Sequence, residues 1–176
     1  MANQNFDPKQ RLNLYGVDEN TLHNARLFWQ GIRPEFDDIV ERFYAHILND
    51  PGIRKFFPPS VRVERLKMAQ KTHWHGLFSG RFDEAYVRRV IATGERHLEI
   101  RLPAFHYIAA YTFFLNELVA AACRRHRGDE EELVSVIKAI NKLIMIDMDL
   151  TLSVYTKQLM HLSTGRARRT AAHENA

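Results

Sequence analysis

The chain has 176 residues, of which 45% are hydrophobic and 26% charged, with eight Gly, six Pro and one Cys. This length suits one domain with a sizeable core. The single Cys123 excludes an internal disulfide and a zinc site made of thiolates alone. No apolar run approaches the roughly 18–20 residues of a membrane span, and the N-terminus lacks the order of a signal peptide. We therefore expect a cytoplasmic protein without a membrane partner.

The net charge of +4 does not indicate a nucleic-acid partner once the charges are located. About half of it comes from residues 162–176, where Arg166, Arg168 and Arg169 stand against Glu174. The other Lys and Arg residues are interspersed with Asp and Glu, whereas a phosphate-binding surface normally presents a basic face or stripe. We expect no nucleic acid among the partners.

A helical period runs through almost the whole chain, and no convincing run alternates apolar and polar residues as a strand would. Candidate caps at Asp18, Ser60 and Asp83, together with Pro and Gly breakers, divide the chain. They predict helices over residues 7–14, 19–31, 34–48, 61–78, 84–100, 104–125 and 130–161. The fold class is therefore all-α. We take 1–9 as a tail, 10–161 as the domain, and 162–176, which has no apolar period, as a linker or tail.

The nine histidines are the first place to look for a metal site. His73 and His75 point about 200° apart on a helix and cannot share an ion. Neither a His-Glu-x-x-His nor a Glu-x-x-His motif is present, and there is no Gly-rich phosphate loop or nucleophile elbow. These patterns do not indicate an enzyme. A helix array of this size fits a globin, a four-helix sensor bundle or a plain interaction domain.

One ordered set of motifs spans six predicted helices and distinguishes among these classes. It comprises Phe43-Tyr44, Asn49-Asp50-Pro51-Gly52-Ile53, Phe56-Phe57, Leu66, Leu77-Phe78-Ser79-Gly80, the run from Glu95 to Leu102, Tyr107 and Tyr111. In this order and spacing, the set resembles the globin domain of the globin-coupled sensors, which are haem-based oxygen sensors. The opening run from Arg11 to Asp18 also looks like the extra N-terminal helix of that family. The resemblance covers about residues 10 to 160.

The resemblance implies a haem b cofactor whose iron is ligated by His97 on the proximal side. It places Tyr44 on the distal side, where a phenol hydroxyl can donate a hydrogen bond to O2. Leu66 matches a distal leucine that keeps water out. Ala69 departs from the hydroxyl residue of some relatives, so a second distal hydrogen bond stays in doubt. Gln70 is the alternative donor.

The remaining predicted pocket residues lie on the proximal side and the walls. Ile100 and Leu102 are expected to pack on the porphyrin, and Tyr107 to hydrogen-bond near His97. Phe57 and Tyr111 are expected to form pocket walls. His73, two turns after Leu66, is a further candidate for a sixth iron ligand.

The family also implies partners. O2, CO and NO are the expected ligands, and a C-terminal output domain or separate partner would receive the signal. We expect a homodimer through the last two helices, with a globin fold whose long C-terminal helices form the interface. The predicted seam comprises Leu133, Val136, Ile137, Ile140, Leu143, Ile144, Met148, Leu152, Val154 and Tyr155. A haem-free signalling or dimerisation domain is the alternative, and an oxygen-consuming globin would need a reductase.

Overall fold

The computed structural model describes residues 8–59 and 61–174, with side chains as far as residue 160. It confirms the all-α prediction, since these ranges contain helices and no strand. The helices are α1 (Pro8–Leu14), α2 (Glu19–Ile32), α3 (Phe36–Leu48), α4 (Pro51–Arg54), α5 (Val63–Phe78), α6 (Glu84–Glu99), α7 (Ala104–Arg125) and α8 (Glu130–Glu174). None of the helices described is both long and apolar enough to cross a bilayer.

Two of the predicted helix caps form as expected. The Asp18 carboxylate accepts a hydrogen bond from the Thr21 backbone N–H at 2.7 Å, and that of Asp83 accepts one from Tyr86 at 2.8 Å. Each satisfies an N–H that the first turn of a helix leaves without a partner. The predicted cap Ser60 lies outside the described residues, and α5 begins at Val63 rather than 61.

The last helix differs from its predicted end. We expected a break near His161, but the backbone stays helical to Glu174. The segment beyond residue 161 is rich in Ala and Arg, which are strong helix formers, so the absence of an apolar period does not end the helix. Residues 175 and 176 lie outside the described part.

The helix α8 lies at the centre of the domain and packs against α2, α5, α6 and α7. Its buried face uses four residues that we had assigned to the dimer seam: Val136, Ile140, Leu143 and Ile144. That assignment was wrong because α8 is contacted on several sides, so these side chains are buried in the core of their own domain. The seam cannot be built from these four side chains.

A close approach of α6 to α8 depends on Gly94. A Cβ placed on Gly94 would lie 2.9 Å from the Thr151 backbone oxygen and 3.0 Å from Val154 Cγ2. The first distance is shorter than real Cβ contacts reach, and a backbone atom cannot swing aside. Gly94 therefore sets the depth at which α6, with His97 one turn later, lies on α8.

Candidate functional site

The site lies where α5 and α6 diverge from their short connection. At the joined ends, the Tyr86 ring lies 3.9 Å from the position of a Cβ on Gly76. Away from this junction, α6 packs chiefly on α8, whereas α5 packs on α2, α3 and α8. The opposite half of α5 carries Leu66 and Ala69, and the end of α6 carries His97. These are the helices that the resemblance places on the two sides of a haem.

His97 carries a buried ring nitrogen without a hydrogen-bond partner. Its Nδ1 is the one buried side-chain nitrogen or oxygen without a hydrogen bond that the described side chains contain. Such an atom costs about 1–3 kcal/mol unless a ligand or water satisfies the ring. Burial, reinforced by the charge of His73, lowers the pKa of His97 to about 4. The imidazole is therefore neutral near pH 7, as a metal ligand must be.

The turn after His97 is held in place on both sides. The Leu102 N–H donates to the His97 carbonyl at 2.9 Å, and Arg101 between them adopts a left-handed φ of 56°. This conformation closes the end of α6 and is uncommon for a residue with a Cβ. The Tyr155 hydroxyl of α8 donates to the Leu102 carbonyl at 3.1 Å. The backbone that carries His97 is thus tied to α8.

Tyr107 lies beside His97, as predicted, but it is the Tyr107 ring rather than the hydroxyl that contacts the histidine. The two ring centroids are 5.2 Å apart. The hydroxyl lies 2.8 Å from Thr151 Oγ1 and 2.9 Å from the Tyr111 hydroxyl, so its hydrogen bonds run away from His97. We had expected the hydroxyl itself to bond near the histidine. Instead, the Tyr107 hydroxyl hydrogen-bonds to Tyr111 on α7 and Thr151 on α8.

Tyr44 is buried on α3, and its ring meets that of Phe57 edge-on at 6.3 Å. Burial raises the pKa of Tyr44, so the phenol keeps its proton across the physiological range. No hydrogen bond joins the hydroxyl to any residue that the structure describes. Because the hydroxyl is not a fully buried unpaired atom, it opens onto accessible space, where its uncommitted proton is suited to donate to a small ligand.

The other predicted wall residues are less buried than core positions. Leu66, Phe57 and Leu102 are half-buried, whereas Ala69 is exposed and Ile100 is 40% exposed. This exposure fits walls of a site open toward solvent. Gln70 Oε1 accepts a 3.0 Å hydrogen bond from Trp74 Nε1, so only the amide nitrogen of Gln70 is left to donate to a ligand.

Sequence reasoning missed a buried polar cluster at the inner end of the site. The Asp147 carboxylate of α8 is fully buried and accepts hydrogen bonds from the hydroxyls of Tyr86 and Tyr111. His73 Nε2 lies 2.9 Å from Asp147 Oδ2 and 3.2 Å from the Tyr111 hydroxyl. Burial opposes charge on both groups, yet their attraction and hydrogen bonds raise the pKa of His73 and lower that of Asp147.

This cluster explains what His73 does. We had kept it as a candidate sixth ligand, but its Nε2 is committed to Asp147. A signal was present in the sequence, since Asp147 follows Leu143 and Ile144 by four and three residues and precedes Leu150 and Thr151 at the same spacing. A carboxylate at the centre of a helix's apolar face must be paired.

The described surface offers no competing metal site. Among those residues, no group of three or more His, Cys, Asp or Glu side chains could hold a metal ion. Two surface grooves of about 540 and 570 Å³ lie around Trp29 and His75. Their linings contain none of the predicted site residues. They are open clefts on the other side of α5.

Comparison with known proteins agrees with this architecture. A family model described as Protoglobin matches residues 4–161. The globin domain of the Geobacter sulfurreducens globin-coupled sensor aligns with a TM-score of 0.77 at 18% identity, covering 84% of this chain and 96% of that one. The globin domain of E. coli DosC, in a ferric crystal form, aligns with a TM-score of 0.67 at 18% identity, covering 83% and 97%. The resemblance to sensor globin domains is confirmed at the level of fold.

Proposed function

The chain belongs to the protoglobin family, and from this premise we propose that it is a haem-based gas-sensor domain in which His97 ligates the iron. The observation that carries the proposal is the buried, partnerless Nδ1 of a neutral His97 at the end of α6. An imidazole that is neutral and makes no hydrogen bond in the described part of the chain can offer a ring nitrogen to iron, as the proximal histidine of globins does.

The cofactor is haem b, held without covalent bonds. Covalent attachment through a Cys-x-x-Cys-His motif requires two cysteines, and the sequence has one. When bound, the iron supplies the coordination position at which O2, CO or NO can bind. Leu66, Phe57, Leu102 and Ile100 would supply the apolar contacts to the porphyrin.

Tyr44 would select among these gases. Its hydroxyl is unbonded within the described part of the chain and keeps its proton, so it can donate to the partly negative outer atom of O2. A hydrogen bond to a charged acceptor contributes about 1–3 kcal/mol. The function is therefore ligand binding rather than turnover, with O2 favoured through Tyr44.

The signal would leave through a dimer of α7 and α8. On α8, an outward stripe comprises the exposed residues Val134, Asn141 and Met145. It is flanked by Ile137, Met148 and Leu152, which are partly buried against the core. Val134 is 48% and Met145 37% exposed, and Phe105 and Ile108 are exposed on neighbouring α7. This largely uncharged surface suits a second copy of the chain. An output domain or cytoplasmic partner would then read the dimer.

The deciding experiment is haem reconstitution followed by absorption spectroscopy. The wild-type chain should give a Soret band in the range of roughly 400–430 nm typical of haem proteins and change its spectrum on exposure to O2 and CO. A chain that remains colourless after reconstitution would instead support a haem-free dimerisation domain. If the haem-loaded chain consumes O2 when a reductase is added, this would support the oxygen-consuming alternative.

A further inference from the structure

The Asp147 carboxylate on α8 hydrogen-bonds to side chains from three other helices. Tyr86 of α6 donates to Oδ1, whereas Tyr111 of α7 and His73 of α5 meet Oδ2. All three partners come from elements that surround the candidate site. No other residue in the described part joins α5, α6 and α7 to α8 through a single side chain.

The two oxygens of Asp147 serve different parts of the site. The Oδ2 side continues through the Tyr111 hydroxyl to that of Tyr107, 2.9 Å away, and the Tyr107 ring lies 5.2 Å from the His97 ring. The Oδ1 side ends at Tyr86, near the junction of α5 and α6. A path of contacts therefore connects the carboxylate to the proximal histidine on one side only.

Stability alone does not account for a carboxylate at this place. Burying an ion costs several kcal/mol, and exchanging buried ionic groups for well-packed apolar ones is often neutral or stabilising. The neighbouring core positions Leu143, Ile144 and Leu150 are apolar and only Thr151 is polar, so an apolar residue at 147 would fit the pattern. What an apolar residue could not do is fix the hydroxyls of Tyr111 and Tyr107.

We propose that Asp147 is a positioning residue of the haem site: through Tyr111 and Tyr107 it fixes the aromatic ring against His97 and so sets the orientation of the imidazole. The inference rests on the proposed haem function. Groups beyond a ligating histidine commonly fix the orientation of its ring.

The test compares three single variants after haem loading: Asp147→Asn, Tyr111→Phe and the matched control Tyr86→Phe. Each tyrosine variant deletes one hydroxyl that donates to the same carboxylate, and Tyr111→Phe also removes the contacts to His73 and Tyr107, so it should lose more stability in the haem-free protein. Only Tyr111→Phe breaks the path to His97. The site readout is the iron–histidine stretching band in resonance Raman spectra of the ferrous form.

Asp147→Asn should shift the stretching band away from the wild-type frequency, because the Tyr111 hydroxyl loses its carboxylate acceptor. Tyr111→Phe should shift the band, and Tyr86→Phe should leave it at the wild-type frequency.

Two results would overturn the proposal. One is an unchanged band in both Tyr111→Phe and Asp147→Asn, and the other is an equal shift in Tyr86→Phe and Tyr111→Phe, which would indicate general loosening. If Asp147→Asn does not fold, the tyrosine pair decides alone. A wild-type chain that binds no haem defeats the proposed function, whereas a normal band that none of the variants moves defeats only this inference.

Discussion

His73 Nε2 lies 2.9 Å from Asp147 Oδ2, which pairs an imidazole of α5 with a carboxylate of α8 inside the domain. The Tyr86 and Tyr111 hydroxyls face the same carboxylate, and the nearby Arg89 opposes protonation of His73. The net result is a raised pKa for His73 and a lowered pKa for Asp147. The pair therefore makes stability depend on pH in a defined direction.

The first prediction concerns His73→Gln. A raised histidine pKa stabilises the fold fully below the ordinary value of 6.5, and this contribution disappears as pH rises through the folded-state pKa. The lowered carboxyl pKa contributes above 3.8 and is lost as pH falls through its folded value. Urea unfolding of the haem-free protein should show a larger loss of stability from His73→Gln at about pH 5.5 than at about pH 8.5. A loss that is equal at both pH values, or larger at the alkaline one, contradicts the pairing.

The second prediction is that His97→Ala abolishes or greatly weakens haem binding. The variant removes the proposed iron ligand while leaving the helices intact, so far-UV circular dichroism should change little. Haem retention after gel filtration and the ferrous spectrum measure the effect. His23→Ala, on an exposed part of α2, is the matched control and should retain haem. An unchanged ferrous spectrum in His97→Ala removes His97 from the role.

The third prediction is that Tyr44→Phe speeds O2 dissociation by about one to two decades. The change deletes only the hydroxyl, whose hydrogen bond contributes about 1–3 kcal/mol. CO carries less negative charge on its outer atom and should dissociate at nearly the wild-type rate. Stopped-flow or flash photolysis measures both rates. Equal changes for the two gases indicate a steric effect, and no change for either points to another donor, with Gln70 the next to test.

The fourth prediction reverses the usual rule for glycine in a helix. Gly94→Ala should destabilise the protein and weaken haem binding, because the new Cβ would meet the Thr151 backbone oxygen at 2.9 Å and push α6 off α8. Gly76→Ala is the control: its Cβ would have 3.9 Å of clearance, so it should gain up to about 1 kcal/mol from helix propensity. Thermal unfolding and haem affinity measure the two. Stabilisation by Gly94→Ala would show that α6 does not lie this close.

The fifth prediction is that the chain is a dimer at micromolar concentration and that Met145→Lys makes it a monomer. Met145 is 37% exposed on the outward stripe of α8, so a charge there disturbs an interface without entering the core. Light scattering measures the mass, and the Soret band should persist because the substitution lies away from His97. Asn141→Asp, on the same stripe, should weaken the dimer less. A wild-type monomer would remove the four-helix route for the signal but leave haem binding untouched.

The sequence by itself determined the local features of this protein. Asp18 and Asp83 cap their helices, the helical period predicts an all-α fold, and the motifs around Tyr44 and His97 indicate a sensor globin. These succeed because caps and periodicity depend on residues a few positions apart. A family resemblance can likewise be recognised from short motifs in the right order and spacing, without knowing which residues are in contact.

Only the tertiary structure decided which helix faces meet and which polar groups pair. The apolar face of α8 enters the core rather than a dimer seam, because four neighbouring helices cover it. Asp147 finds His73 across 74 residues, and Gly94 matters only because Thr151 lies against it. Such pairs depend on how helices dock, and docking is set by the packing of the whole core rather than by any local run of sequence.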